Sequence, residues 1–297
     1  MVKAFAGDAR EALGAQAFLW QRRAAPGSLP EGVAEATVFD PLTDPEASGA
    51  RLSAAFAPRR IRTVLCFAGV IRGDEAALAV NSDLAIAALQ IAKGCGAGRV
   101  LLSSSAAVYG AQAGLLHEDL PLTPAAPYGA AKAQMEADAL AWRDTHAPQI
   151  EICALRIGNV AGADALLGRP EARSGAETAL AEQRALLTLD VFADGHGPWR
   201  SYIGPRAFAH AIMRAVAAPA LPPALNIALQ GMVPMDALLL AAGHSFTPRA
   251  APAGAIASVE LDCARAAALG LVPLARAQAQ EICDELSAYR AIELDKQ

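Results

Sequence analysis

Tyr128 and Lys132 are the residues whose types and spacing first suggest chemistry. They lie four apart in a segment that begins with Pro127, a favoured first residue of a helix, so both side chains are predicted to share one helix face. An ammonium group beside a phenol favours the phenolate and lowers a pKa that is ordinarily about 10. A tyrosine tuned in this way can act as a general acid and base.

Serine hydroxyl groups precede this pair in the chain. Ser103, Ser104 and Ser105 follow an apolar run at 100–102 that is typical of a buried strand. The sequence contains four tyrosines and four lysines, so a chance Tyr-x-x-x-Lys on a surface helix is uncommon, although it is the alternative interpretation.

Two segments, SSSAAVYG at 103–110 and PYGAAK at 127–132, resemble the NAD(P)-dependent epimerase/dehydratase family, the extended short-chain dehydrogenase/reductases. The resemblance implies that Ser105 is the catalytic serine and that Tyr128 is the acid/base. It also implies that Lys132 binds the cofactor ribose and tunes the tyrosine, and that Ser103 and Tyr128 contribute to the cofactor site. The expected activity is an NAD(P)-dependent epimerase or oxidoreductase acting on a nucleotide sugar or a related hydroxyl or carbonyl compound.

One subclass of that family is disfavoured by the residues after Ser105. Sugar 4,6-dehydratases place an Asp-Glu pair directly after their hydroxyl residue, to move the extra protons of an elimination. This chain has Ala106 and Ala107 at those positions. Dehydration by that route is therefore not expected.

Strand and helix patterns alternate through the first half of the chain. Apolar runs at 17–20, 33–39, 63–67, 100–102 and 150–155 predict strands, and helices are predicted at 74–93 and from Pro127. This alternation predicts an α/β fold with a doubly wound, Rossmann-like parallel sheet and a smaller C-terminal substrate lobe. We expect residues 1–160, extended by parts of 188–228, to form the dinucleotide-binding domain. Residues 161–297 would mainly form the lobe, with a strand at 225–229 and helices at 235–242, 259–269 and 277–292.

Ligands bind at the carboxyl ends of the strands in such a sheet. The resemblance places Asp40 beside the adenine of the cofactor. It places the segment Phe67, Ala68 and Gly69 beneath the cofactor, and Asn81 near its nicotinamide side.

Arg22 and Arg23 follow the strand that contacts the adenosine ribose in dinucleotide-binding folds. Arginine there suits a 2′-phosphate, which favours NADP over NAD, and a solvated surface pair is the alternative. The family also carries a Gly-x-x-Gly-x-x-Gly turn that holds the pyrophosphate. Only Gly7 and Gly14 precede the first predicted strand, so that loop is expected to be shortened or lost. A non-catalytic, ligand-binding or regulatory descendant of the family is therefore the alternative function.

Two further residues are implied in the substrate site. Asn159 matches a family position that touches the sugar nucleotide, and Arg200 matches an arginine that binds a substrate phosphate. Each has a plainer interpretation: a turn asparagine and a surface arginine.

Composition excludes several classes of function. The chain is 54% hydrophobic and 19% charged with a net charge of -5, which indicates a globular protein without a basic field for nucleic acid. No histidine spacing suggests a metal site, and five scattered cysteines indicate free, buried thiols in a reducing compartment. We expect a cytoplasmic protein that does not enter the membrane and acts on a small molecule.

A homodimer is also expected, because helices of this family pair with their symmetry mates in a four-helix bundle. The apolar residues proposed for that surface are Leu84, Ala87, Ala88, Ile91, Met135, Ala139 and Trp142.

Overall fold

The computed structural model describes residues 17–21, 33–38, 40–168 and 187–294. Its central sheet contains four parallel strands, β3 (Thr63–Cys66), β4 (Arg99–Ser105), β6 (Glu151–Ile157) and β11 (Ala224–Ile227), in the order β11-β6-β4-β3. Two further parallel strands, β1 (Ala17–Gln21) and β2 (Val33–Val38), pair with each other. The predicted α/β class with a parallel sheet is confirmed.

Strand β4 lies inside the sheet because both of its faces are apolar. Val100, Leu101 and Leu102 have no solvent exposure. Leu101 packs into one core cluster, while Val100 and Leu102 pack into a second cluster on the opposite face. A strand buried on both faces is characteristic of a parallel sheet covered by helices on each side.

Helices cover both faces. On the face of Val100 lie α1 (Pro45–Phe56), α2 (Glu75–Cys95) and α3 (Pro127–His146), and on the face of Leu101 lies α4 (Pro205–Ala217). Asp74 caps α2 by accepting a hydrogen bond from the Ala77 N–H at 2.9 Å. The arrangement is doubly wound, as predicted, although the sequence patterns did not predict α1 or α4.

The remaining elements lie between and after these. The strands are β5 (Leu115–Leu116), β7 (Asn159–Val160), β8 (Thr188–Val191), β9 (Trp199–Arg200), β10 (Tyr202–Ile203), β12 (Val233–Pro234), β13 (Thr247–Ala250) and β14 (Ser258–Leu261). The helices are α5 (Met235–Ala241), α6 (Ala264–Ala268) and α7 (Ala279–Leu294), and a short 3₁₀ helix spans Ala106–Tyr109. The division into a cofactor domain and a substrate lobe stays a prediction.

The predicted helix at 259–269 is wrong over its first part. Residues Ser258–Leu261 form strand β14, which pairs in parallel with β5 and β9, and helix α6 begins only at Ala264. Pairing with two neighbouring strands overrides the local helical pattern here.

The apolar patch proposed for a dimer is also wrong. Six of its seven residues are buried in the core of the chain itself: Leu84, Ala87, Ala88, Ile91, Met135 and Ala139. Helix α2, which carries four of them, is the one described helix long and apolar enough to cross a membrane by length and composition. It packs against α1 and α3, as a core helix does.

Candidate functional site

The end of strand β4 and the start of helix α3 bring Ser105 and Tyr128 together. These elements place the Ser105 hydroxyl group close enough to the Tyr128 phenol to affect its pKa, and the Ser105 oxygen accepts from the Ala107 N–H at 3.2 Å. The close approach depends on Gly129, because a Cβ atom there would lie 2.3 Å from the Ala107 carbonyl oxygen. The glycine after the tyrosine therefore lets the helix reach the strand end.

The expected lowering of the Tyr128 pKa is not found in this structure. Burial raises the pKa of the phenol, and the hydrogen bond with Ser105 opposes that rise. The neighbouring lysine does not offset this rise, because the Lys132 ammonium group donates to the Ser103 carbonyl oxygen at 2.7 Å. The phenol is therefore protonated at neutral pH, which is the form that donates a proton.

Lys132 is only 3% exposed. Burial lowers the pKa of its ammonium group, while the charges of Cys66 and Glu136 act in the opposite direction. An ammonium group has three donors, and Ser103 is its one oxygen contact among the described residues. Donors therefore remain for a hydroxyl group of a ligand.

Gly69 passes directly over this lysine. A Cβ atom at Gly69 would lie 3.2 Å from the Lys132 Nζ and 2.9 Å from the Asn81 Oδ1. Ala68 and Gly69 are exposed at the carboxyl end of β3, and Phe67 packs edge-on against Phe208 of α4. The segment thus forms an open floor with polar groups beneath it, where a flat ligand can lie against backbone.

Asn81 has a structural task in this floor. It is 1% exposed, accepts from the Val70 N–H at 3.2 Å and donates to the Val70 carbonyl oxygen at 2.9 Å. The amide holds the segment after β3 in place. Its predicted contact near the nicotinamide side stays a prediction.

Glu136, one turn beyond Lys132, was missed by the sequence analysis. Its carboxylate accepts from the Ser104 hydroxyl group and from Arg156, whose Nη2 lies 2.8 Å from the Glu136 Oε2. Arg156 also donates to the Tyr109 hydroxyl group at 3.0 Å. The signal was available, because the four-residue spacing of Tyr128 and Lys132 continues to Glu136.

Three other predicted residues make contacts outside the group of Ser105, Tyr128 and Lys132. Asn159 is on β7 beside Tyr202, and Arg200 is on β9, where its guanidinium group donates to the carbonyl oxygens of Trp199, Ile256 and Ala257. The Asp40 carboxylate, exposed just beyond β2, accepts from the Leu42 N–H at 3.0 Å.

Two predictions fall outside the described residues. Arg22 and Arg23 belong to the undescribed part of the chain, as does the N-terminal segment in which the shortened glycine loop was expected.

A cavity lies beside the ion pair of Glu136 and Arg156. It measures about 200 Å³ and is lined by Glu136, Arg156 and Arg265, with apolar residues such as Leu140 and Ile152. Ser105, Tyr128 and Lys132 do not line it. Lys132 lies against the open floor at Gly69 instead, while the cavity contacts Glu136 and Arg156.

A family model described as "NAD dependent epimerase/dehydratase family" matches residues 31–228, two thirds of the chain. Comparison with curated protein sequences gives no match. Solved structures with the same fold include TunA, an NAD-dependent NDP-hexosamine 5,6-dehydratase, with TM-score 0.72, 20% identity, and coverage of 99% of this chain and 94% of that one.

Two epimerases are similarly related. UDP-glucose-4-epimerase from Stenotrophomonas maltophila, solved with NAD and formylated UDP-arabinopyranose, has TM-score 0.68 and 22% identity and covers 90% of this chain and 85% of its own. UDP-glucose 4-epimerase from Thermus thermophilus, solved with NAD, has TM-score 0.69 and 19% identity, with coverage of 97% and 96%. At these identities the structures establish the fold.

Proposed function

The chain belongs to the NAD-dependent epimerase/dehydratase family, and we propose that it is an NAD(P)-dependent epimerase or oxidoreductase acting on a nucleotide sugar. The observation that carries the proposal is the buried Lys132 ammonium group, which lies one helical turn from Tyr128 and donates to the Ser103 carbonyl oxygen on the strand that ends at Ser105. These groups stand at the carboxyl end of β4, where parallel sheets bind their ligands.

In the proposed mechanism, Tyr128 exchanges a proton with the substrate oxygen, and Ser105 holds that oxygen by a hydrogen bond. The protonated phenol found here is suited to donating a proton to a carbonyl oxygen, and the reverse step requires the phenolate. Lys132 orients a ligand hydroxyl group through its remaining donors. A bound nicotinamide dinucleotide supplies hydride acceptance and return.

The described residues fit such a cofactor. Ala68 and Gly69 offer exposed backbone without bulk, and a side chain at Gly69 would crowd both Asn81 and Lys132. We propose that Phe67, Ala68, Gly69, Asn81, Ser103 and Lys132 hold the nicotinamide half, and that Asp40, Arg22 and Arg23 hold the adenosine half. A preference for NADP over NAD rests on the two arginines. Affinities within threefold of each other, or a preference for NADH, would refute that preference.

Nucleotide sugars are the proposed substrates because solved structures of this fold include complexes with UDP-glucose and UDP-glucuronic acid. Asn159 and Arg200 are proposed to contact the substrate. The three carbonyl oxygens bound by Arg200 also give it a second task, which is to hold residues 256–257 against β9.

Assembly and location complete the proposal. We propose a cytoplasmic homodimer, with a surface other than the buried patch described above. Light scattering at micromolar concentration tests the dimer, and a strictly monomeric mass would refute it.

The proposed function is tested by incubating the protein with NAD or NADP and a panel of UDP-sugars. We expect epimerised or oxidised product, and Tyr128→Phe should abolish it. The non-catalytic alternative predicts ligand binding without turnover for the unmodified protein.

A further inference from the structure

One face of helix α3 meets three successive serines of strand β4. Tyr128 is close enough to the Ser105 hydroxyl group for that group to affect its pKa, Lys132 donates to the Ser103 carbonyl oxygen, and Glu136 accepts from the Ser104 hydroxyl group. The proposed mechanism uses the first two of these helix residues. Glu136 is a buried ionisable group for which it gives no task.

The Glu136 carboxylate is fixed in position. Its side chain is 7% exposed and accepts from the Ser104 hydroxyl group and from the Nε and NH2 groups of Arg156, at 3.2 and 2.8 Å. Arg156 is held in turn by the Tyr109 hydroxyl group and the Glu118 carbonyl oxygen. A carboxylate with this many partners provides a charge that does not move when the site changes its ligand.

Lys132 needs such a charge, because a buried ammonium group without a nearby anion is costly. From β3 it faces Cys66, from β4 the Ser103 carbonyl oxygen, and from its own helix Met135 and Glu136. Burial raises the pKa of the Cys66 thiol to about 11, so that thiol is neutral at neutral pH. Glu136, a carboxylate in an ion pair with Arg156, is therefore the anionic group left among the described groups that act on Lys132.

We propose that Glu136 is a positioning residue for Lys132: it supplies the fixed negative charge that keeps the ammonium group protonated and seated between Ser103 and Gly69. This inference rests on the proposed function, in which Lys132 orients the ligand. The ion pair of Glu136 and Arg156 then supports the position of Lys132 in the site and also joins helix α3 to strand β6.

The test measures Lys132 directly, in the full chain without cofactor or substrate. Lysine labelled with ¹³C at Cε gives a small set of NMR signals, since the sequence contains four lysines. The Lys132→Met variant identifies the signal of Lys132. Glu136→Gln should move its titration midpoint to lower pH, because removing the anion disfavours the ammonium form.

Asp144→Asn is the matched control, because it removes an exposed carboxylate from the same helix. It should leave the Lys132 midpoint in place. The proposal is overturned if the Glu136→Gln and unmodified curves coincide, or if Asp144→Asn shifts the midpoint equally.

If Glu136→Gln does not fold, the double variant Glu136→Gln with Arg156→Met removes the buried pair together, which is better tolerated than removing one partner. A smaller downward shift is expected, because Arg156→Met also removes a neighbouring positive charge, and a midpoint that stays in place or rises would refute the proposal. Because the titration needs no turnover, a protein that lacks hydride transfer but shows the shift would refute only the proposed function.

Discussion

Two consecutive parts of helix α3 differ in how completely their polar groups are used. Lys132 has one oxygen partner among the described residues and lies beside the exposed backbone of Gly69, and Tyr128, one turn before it, is half-buried. Glu136, one turn further on, is bonded by Ser104 and Arg156 and buried behind the site. The helix therefore carries reactive groups at its start and a supporting ion pair beyond them.

The difference shows where this fold can accommodate a ligand. Groups whose hydrogen bonds are filled internally hold the neighbouring residues in place, and groups with donors to spare bind a ligand. Substitutions at the start of the helix should therefore reduce activity and leave stability intact. Substitutions at the ion pair should reduce stability, and removal of the Glu136 carboxylate should also change the titration of Lys132.

Tyr128→Phe should have the largest effect on rate. It removes one hydroxyl group and keeps the ring, so packing changes little, while the proton transfer is lost. Loss of a general acid or base typically costs about 10²- to 10⁴-fold in rate, and kcat should fall at least that far. Steady-state kinetics and thermal melting measure the two properties, with Tyr289→Phe on helix α7 as the control. Retention of more than about a tenth of the activity would show that Tyr128 is not the acid/base.

Methionine substitutions at Lys132 and Arg156 compare the start of helix α3 with the buried ion pair. Arg156→Met strands the buried Glu136 carboxylate and should cost about 3–5 kcal/mol of unfolding free energy. Lys132→Met removes a buried cation with one oxygen contact, so stability should hold or rise while cofactor binding weakens. Denaturant unfolding gives both values. Equal losses of stability would remove the distinction between a reactive and a supporting region.

Two neighbouring serines provide a finer comparison. Ser104→Ala removes a hydrogen bond to a buried carboxylate and should cost about 1–3 kcal/mol of stability. Ser105→Ala removes the donor proposed to hold the substrate oxygen and should lower kcat by about 10²-fold with a smaller effect on stability. Melting curves and kinetics of the two variants, measured side by side, check the contrast. A reversed pattern would exchange the tasks assigned to the two hydroxyl groups.

The smallest effect concerns the titration of Tyr128 without cofactor. Burial raises its pKa, so the phenol should ionise above the ordinary tyrosine value of about 10. The ultraviolet difference between the unmodified protein and Tyr128→Phe isolates this group from the other three tyrosines. A midpoint well below the ordinary value would mean that the lysine already tunes the phenol in the unliganded protein.

The sequence could name the residues now proposed to be reactive because they lie in short contiguous motifs. Ser105, Tyr128 and Lys132 could be named from spacing and resemblance, and the alternating strands and helices predicted the parallel sheet. The five cysteines were also predicted correctly, since all are free and buried. Local patterns sufficed in these cases because each depends on neighbours in the chain.

Interactions between distant residues could not be predicted in this way. The ion pair of Glu136 and Arg156 joins helix α3 to strand β6. The Lys132 ammonium group donates to Ser103, and burial raises the pKa of Tyr128. The buried state of Leu84 and Met135 likewise depends on how α2 and α3 pack, which a list of apolar positions does not specify. Strand β14 forms because two partner strands are available to it.

The measurement that tests the central claim most directly is a fluorescence titration of the unmodified protein and of Lys132→Met with NADPH and NADH. Saturable binding to the unmodified protein, stronger for NADPH and weakened in Lys132→Met, is the expected result. Tyr128→Phe should bind as the unmodified protein does. If neither nucleotide binds the unmodified protein, residues at the start of α3 do not serve nicotinamide-dependent chemistry in this chain.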